Sequence, residues 1–143
     1  MNRRDTEDAE NAQRFDKVQD GLNRLTERVI GASIEVHRCL GPGYLEAVYE
    51  EALACELTDQ GIAFRRQHPF ACVYKGHRVG EGRLDLFVAD QLIVELKAMD
   101  SISAIHRAQV ISYLRALNRP LGLLINFNVP LLKHGLHRII LSS

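Results

Sequence analysis

The stretch that most constrains this chain is residues 83–97, RLDLFVADQLIVELK. It reads as two strands, residues 84–88 and 92–97, joined by the turn Ala89-Asp90-Gln91. The first strand is apolar except at Asp85, the second except at Glu95 and Lys97. Side chains alternate along a strand, so Glu95 and Lys97 share a face. A three-residue turn sets Val88 opposite Leu92 and therefore Asp85 opposite Glu95. Residues directly opposed across two strands have β-carbons only ~5 Å apart. Two carboxylates that close repel each other, and an apolar setting raises the cost further. Such a pair calls for something positive between them. A divalent cation is one candidate and Lys97 is the other.

The rest of the chain supplies the frame for this hairpin. Its 143 residues suffice for one domain with a real core, and 46% hydrophobic content excludes general disorder. No apolar run approaches the ~20 residues of a membrane helix. The first residues, MNRRDTEDAENAQRFD, lack the apolar centre of a signal peptide. Cys39, Cys55 and Cys72 are odd in number and form no CxxC pair, which argues against zinc and against a disulfide framework. They are expected as small core residues in a reducing cytoplasm.

Residues 1–20 are polar and are expected as a solvent-exposed helical extension, frayed or partly disordered. The domain proper is expected over residues 21–143. Leu22, Leu25, Val29, Ile30, Ser33, Val36 and Leu40 recur at helical steps. Gly41-Pro42-Gly43 ends that helix. A second helix is expected from about Tyr44 to Gln60, with Leu45, Val48, Tyr49, Ala52, Leu53 and Leu57 inward. Two helices joined this way predict a helical hairpin. Residues 64–74 read as a strand near a sheet edge, because of Pro69. Residues 78–88 read as a longer strand, with a bend or bulge at Gly80 or Gly82. After the Asp85/Glu95 hairpin, Ser101 or Ser103 is a fair N-cap for a helix over residues 104–118. Its expected buried face is Ile105, Ala108, Ile111, Leu114 and Leu117. The apolar run 121–127 reads as a buried strand, and strand–helix–strand spacing predicts a parallel pair. Residues 136–141 make a last short strand. The fold class is therefore α/β.

Net charge is zero but uneven. Residues 31–99 carry seven Lys/Arg against ten acids, while residues 100–143 carry five against one. The basic end suits a phosphate backbone, and it equally suits an ordinary solvated surface.

Three groups of residues bear on chemistry. Asp85 with Glu95-x-Lys97 matches what metal-assisted phosphodiester hydrolysis needs: oxygen ligands for Mg²⁺ and a cation near the attacking water. The Leu96 carbonyl is a further candidate ligand. On its own, Glu-x-Lys on a strand also fits a solvated face. Gly43-x-x-Glu46-x-x-Tyr49 puts Glu46 at a helix start, where it either compensates the helix dipole or supplies a third carboxylate. Glu50, one turn on, is placed to share that side but reads first as a surface acid. Gln109 and Tyr113 share a face of the third helix, with His106 one turn earlier. They form either the polar edge of an amphipathic helix or a hydrogen-bonding roof over the hairpin.

Asp85, Glu95-x-Lys97 and the following strand–helix–strand resemble the PD-(D/E)XK nuclease superfamily, with Leu84 standing where that motif has proline. Glu46 and Gln109-x-x-x-Tyr113 resemble its exonuclease-type branch. The segments IGASIEVHRCLGPGYLEAVYEEAL, YKG, VELKA, AQ, YL and LLINFNVPLLKHG resemble the bacterial GxxExxY proteins, over residues 22–140. The resemblance implies a mixed sheet flanked by helices. It implies metal ligation by Glu46, Asp85 and Glu95, with Lys97 catalytic and Gln109 and Tyr113 supporting. His37 fits the helix pattern but has only a minor claim on the site. The expected activity is Mg²⁺- or Mn²⁺-dependent cleavage of nucleic acid, DNA first. The alternatives are a silent nucleic-acid-binding or assembly module that kept the fold, and a metal-free protein in which Glu95 and Lys97 simply pair. The charged N-terminal helix is available to a second copy or a protein partner.

Overall fold

The structure, a computed structural model, describes residues 3–142. Helix α1 runs Arg3–Leu40 and α2 runs Glu46–Asp59. Then follow β1 (Phe64–Tyr74), β2 (His77–Val88), β3 (Leu92–Lys97), α3 (Ala104–Leu117), β4 (Leu121–Asn126) and β5 (Leu136–Ile140), with a 3-10 turn at Leu132–His134. The polar N-terminal stretch is helical and continuous with α1, and exposed from Arg3 to Val18. No helix among the described residues is long and apolar enough to cross a membrane.

The five strands form one sheet in the order β1-β2-β3-β4-β5. Only β3 and β4 are parallel, as the strand–helix–strand spacing predicts. β1, the strand holding Pro69, lies at an edge. Lys75 and Gly76 turn the β1–β2 hairpin with φ of 49° and 79°, and His77 already pairs with Tyr74. The bulge falls at Val79, the residue skipped between the pairs Cys72/Gly80 and Val73/Arg78.

Each face of the sheet has its own core. α1 and α2 bury Leu22, Val29, Val36, Tyr49, Leu53 and Leu57 against Leu86, Val94, Leu96, Leu123 and Phe127. On the opposite face, α3 buries Val110 and Leu114 against Phe87, Ile93 and Leu124. Two helix faces differ from expectation. Leu45 is 80% exposed because α2 begins one residue later and Leu45 is extended, and Val48 is also exposed. In α3 the sheet is met by Val110 and Leu114, one turn apart. Ile105 and Ala108 therefore face solvent near the end of β3. The cysteines differ too: all three are exposed, on the outer sides of α1, α2 and the β1–β2 arm.

One irregularity matters for the site. Strict alternation would put Leu84 and Leu86 on one face, yet Leu86 packs with the α1/α2 core and Leu84 with the α3 core. β1 changes face likewise between Phe64 and Phe70. The phase changes at Asp85, across from Gln67, whose φ is 48°. A non-glycine residue there is uncommon and strained. Beyond this point β1 and β2 pair only with each other and form a two-stranded arm.

Candidate active site

The β2–β3 register runs Val88/Leu92, Phe87/Ile93 and Leu86/Val94, then stops one pair short of Asp85 and Glu95. There the side chains replace the ladder. The Asp85 N–H donates to Glu95 Oε1 at 2.9 Å, and the Leu96 N–H donates to Asp85 Oδ2 at 2.8 Å. Each carboxylate thus holds the other strand's backbone with one oxygen. Glu95 Oε2 and Asp85 Oδ1 stay outside these bonds, the latter only 3.4 Å from Gln67 Nε2. Glu95 is 4% exposed, Asp85 and Lys97 are half-buried, and Leu96 is fully buried.

Glu46 reaches this place because of how α2 starts. Gly41 and Gly43 turn the chain with φ of 68° and 112°, a region that favours glycine. The Tyr49 hydroxyl then ties the loop shut. It donates to the Gly41 carbonyl at 2.6 Å and accepts from the Tyr44 N–H at 3.2 Å. Its ring stacks on Phe127 at 4.5 Å. The Gly43-x-x-Glu46-x-x-Tyr49 spacing is therefore a loop closure that aims a carboxylate. Tyr49→Phe keeps the stacking and loses both bonds. It is expected to cost about 1–2 kcal/mol in urea unfolding, and an unchanged midpoint would remove this role.

The four ionisable groups feel one another. Burial, then the charges of Asp85 and Glu50, push Glu46 above the usual carboxylate range, while Lys97 pulls it down. Burial is also the main cause of a raised Asp85, to which Glu50 adds. Burial and then Asp85 push Glu95 up to about 8, against the Asp85 N–H and Lys97. Tyr113 is pushed up to about 12 by burial and then by Glu95 and Asp85. Gln109, His106 and Lys97 line one open cleft of ≈ 590 Å³. So the structure brings Glu46, Asp85, Glu95, Lys97 and Tyr113 into electrostatic reach, with Gln109 beside Lys97. His37 lies elsewhere: its Nε2 donates to the Val129 carbonyl at 2.8 Å.

Further residues support the site from its surroundings. Glu50 is not a free surface acid. Its side chain is 13% exposed, pairs with Arg66 at 2.8 Å and accepts from Gln67 Nε2 at 2.7 Å. Arg66 also pairs with Glu51 at 2.7 Å. Asn126, paired with Lys97 across β3 and β4, is 2% exposed. Its Oδ1 accepts from the Met99 N–H at 3.1 Å and its Nδ2 donates to the Met99 carbonyl at 2.8 Å, which secures the chain just past Lys97. Ser103 caps α3, and its N–H donates to His106 Nδ1 at 3.0 Å.

The donor set suits a hard, oxygen-preferring cation: several carboxylates, crowded and part-buried, each resisting ionisation because of burial and neighbouring acids. Among the described residues, no three His, Cys, Asp or Glu side chains form a ready-made cage. A consequence can be measured on metal-free protein. Glu95 holds its proton up to about pH 8 in the folded state and releases it near 4.5 when unfolded. The folded state thus binds more protons at Glu95 between those values, and the Glu95 contribution to stability falls as pH rises through that window. The drop is expected to be roughly 2–4 kcal/mol, read as a falling Tm from pH 5 to 8. A Tm that rises instead would contradict the burial of Glu95.

No curated protein and no solved structure matches the chain. A family model does match, that of the PD-(D/E)XK nuclease superfamily, over residues 23–139. That span runs from the second half of α1 into β5 and takes in every carboxylate gathered at the β2–β3 break. By this match the chain belongs to the PD-(D/E)XK nuclease superfamily.

Proposed function

We propose that this protein is a Mg²⁺- or Mn²⁺-dependent nuclease of the GxxExxY type that hydrolyses phosphodiester bonds in DNA, with an exonuclease-like site. The observation that carries this reading is the convergence of Glu46, Asp85 and Glu95 with Lys97 where β2 and β3 part. Membership of a superfamily of metal-dependent phosphodiester hydrolases supports it.

Glu46, Asp85, Glu95 and the Leu96 carbonyl would hold the ion, which when bound polarises a phosphoryl oxygen and acidifies a bound water. Asp85 and Glu95 are oriented for this by the backbone N–H groups each accepts. Preorganised donors lose little in the transition state, where their effect is largest. Lys97 lies on the cleft side of β3 and offsets negative charge developing on the phosphate. Gln109 and Tyr113, on the same side, donate hydrogen bonds to the substrate backbone.

Purified protein incubated with single- and double-stranded DNA and RNA, with Mn²⁺ or with EDTA, tests the reading. Mn²⁺-dependent cleavage of DNA is the expected result. Binding without cleavage of any substrate would leave instead a silent nucleic-acid-binding module on a nuclease fold.

A further inference from the structure

Tyr113, which lies within electrostatic reach of Glu95 and Asp85, also lines a second cavity. It measures ≈ 540 Å³ and lies between the β1–β2 arm and α3. Phe70, Gly82, Cys72 and Val73 line the arm side, and Tyr113, Arg115 and Ala116 the helix side. Its origin is the phase change at Asp85, which turns Phe70 toward α3. Phe70 and Gly82 are cross-strand partners, and a β-carbon on Gly82 would stand 2.3 Å from Phe70 Cζ. The glycine thus lets the Phe70 ring lie over β2, where it meets the Tyr113 ring at 4.9 Å.

Two features make this more than an apolar gap. Ser112 lines both this cavity and the Lys97 cleft, so the two lie side by side along α3. Arg115 is the cation at its mouth. Arg107 on the same helix hydrogen-bonds His137, and Arg119 is spent on the Leu117 and Asp90 carbonyls. The Arg115 carbonyl accepts the Asn118 N–H at 3.2 Å, but its guanidinium has no hydrogen-bond or ion-pair partner among the described residues. An aromatic floor with a free guanidinium at the rim has the chemistry of a nucleotide site, in which a base stacks and its phosphate is neutralised.

We infer that this cavity receives an unpaired nucleobase of the strand whose phosphate lies at the carboxylates, so that the substrate is a single strand or a frayed end. The inference rests on the nuclease reading for the identity of that strand. A base inside a duplex must first unstack and unpair, a cost that a single strand or a frayed end does not carry.

The test measures binding apart from cleavage. Oligonucleotides carrying one 2-aminopurine are titrated with the full chain in Ca²⁺, as a single strand and as a blunt duplex. Two variants change only exposed side chains on α3: Ala116→Leu, which fills the cavity, and Arg115→Ala. Fluorescence quenching of the single strand, with about tenfold weaker binding for Ala116→Leu and a shallower salt dependence for Arg115→Ala, supports the inference. Equal binding of single strand and duplex, or wild-type affinity in Ala116→Leu, overturns it. Cleavage of the same oligonucleotides in Mn²⁺, scored in parallel, judges the nuclease reading separately. An enzyme that cuts while Ala116→Leu binds normally keeps the activity and loses the base site.

Discussion

Lys97→Ala and Glu95→Gln are each expected to lower Mn²⁺-dependent DNA cleavage by about 10²–10³-fold or more, measured as single-turnover rates at pH 8. The two variants should part company in stability. Glu95 is buried beside Asp85, and both are pushed toward the protonated form. A neutral glutamine keeps an oxygen to accept the Asp85 N–H and removes the repulsion. Metal-free Glu95→Gln should therefore unfold at higher temperature than wild type at pH 8 and show a weaker pH dependence of Tm. A site that is costly to fold and necessary for activity is the usual mark of function purchased against stability. Full activity in Lys97→Ala would dismiss the lysine's role. A Glu95→Gln protein less stable than wild type at pH 8 would mean that Glu95 is held there by attraction rather than by burial against Asp85.

Gly135→Ala is expected to be the most damaging small substitution away from the acids. The Gly135 carbonyl accepts the Asn126 N–H at 2.8 Å. A β-carbon on Gly135 would stand 2.0 Å from the Asn126 carbonyl oxygen, which is backbone and cannot swing away. Asn126 also holds both backbone groups of Met99 and accepts from the Asn128 N–H at 3.2 Å. Displacing it disturbs the ends of β3 and β4 together, next to Lys97. The expected loss is about 3 kcal/mol, read as a shifted urea midpoint. Gly31→Ala is the control, since its β-carbon would meet nothing within 4 Å. That change, inside a helix, should stabilise by about 0.5–1 kcal/mol. Equal midpoints for Gly135→Ala and wild type would show that the β4–β5 connection yields freely.

Much of the fold was legible because it depends on short-range rules. Ala89-Asp90-Gln91 does turn the β2–β3 hairpin, with Val88 opposite Leu92. The apolar run that begins at Leu121 is a fully buried strand parallel to β3. Helix faces were less legible where the partner surface ends: Ile105 has helical spacing but no sheet beneath it. The exposure of the cysteines was not legible, because burial is a property of position and nothing in their spacing places them. The roles of Glu50 and Gln67 were not legible for the same reason. An acid on an exposed-looking helix turn and an amide on an edge strand acquire meaning only when α2 is laid across β1.

By itself, the sequence determined that carboxylates would be forced together with a lysine in an apolar hairpin, because alternation and turn length leave them no other register. It also made Glu46, Gln109 and Tyr113 candidates to join them, through helical spacing and a family resemblance. Only the tertiary structure decided how the acids are held. The β2–β3 ladder ends one pair early, and each carboxylate takes over a backbone bond of the opposite strand. It also decided that β1 and β2 change face at Gln67 and Asp85 and so carry Phe70 over to α3. Strand alternation is a local rule, and a single residue with positive φ, held by contacts distant in sequence, is enough to reverse it.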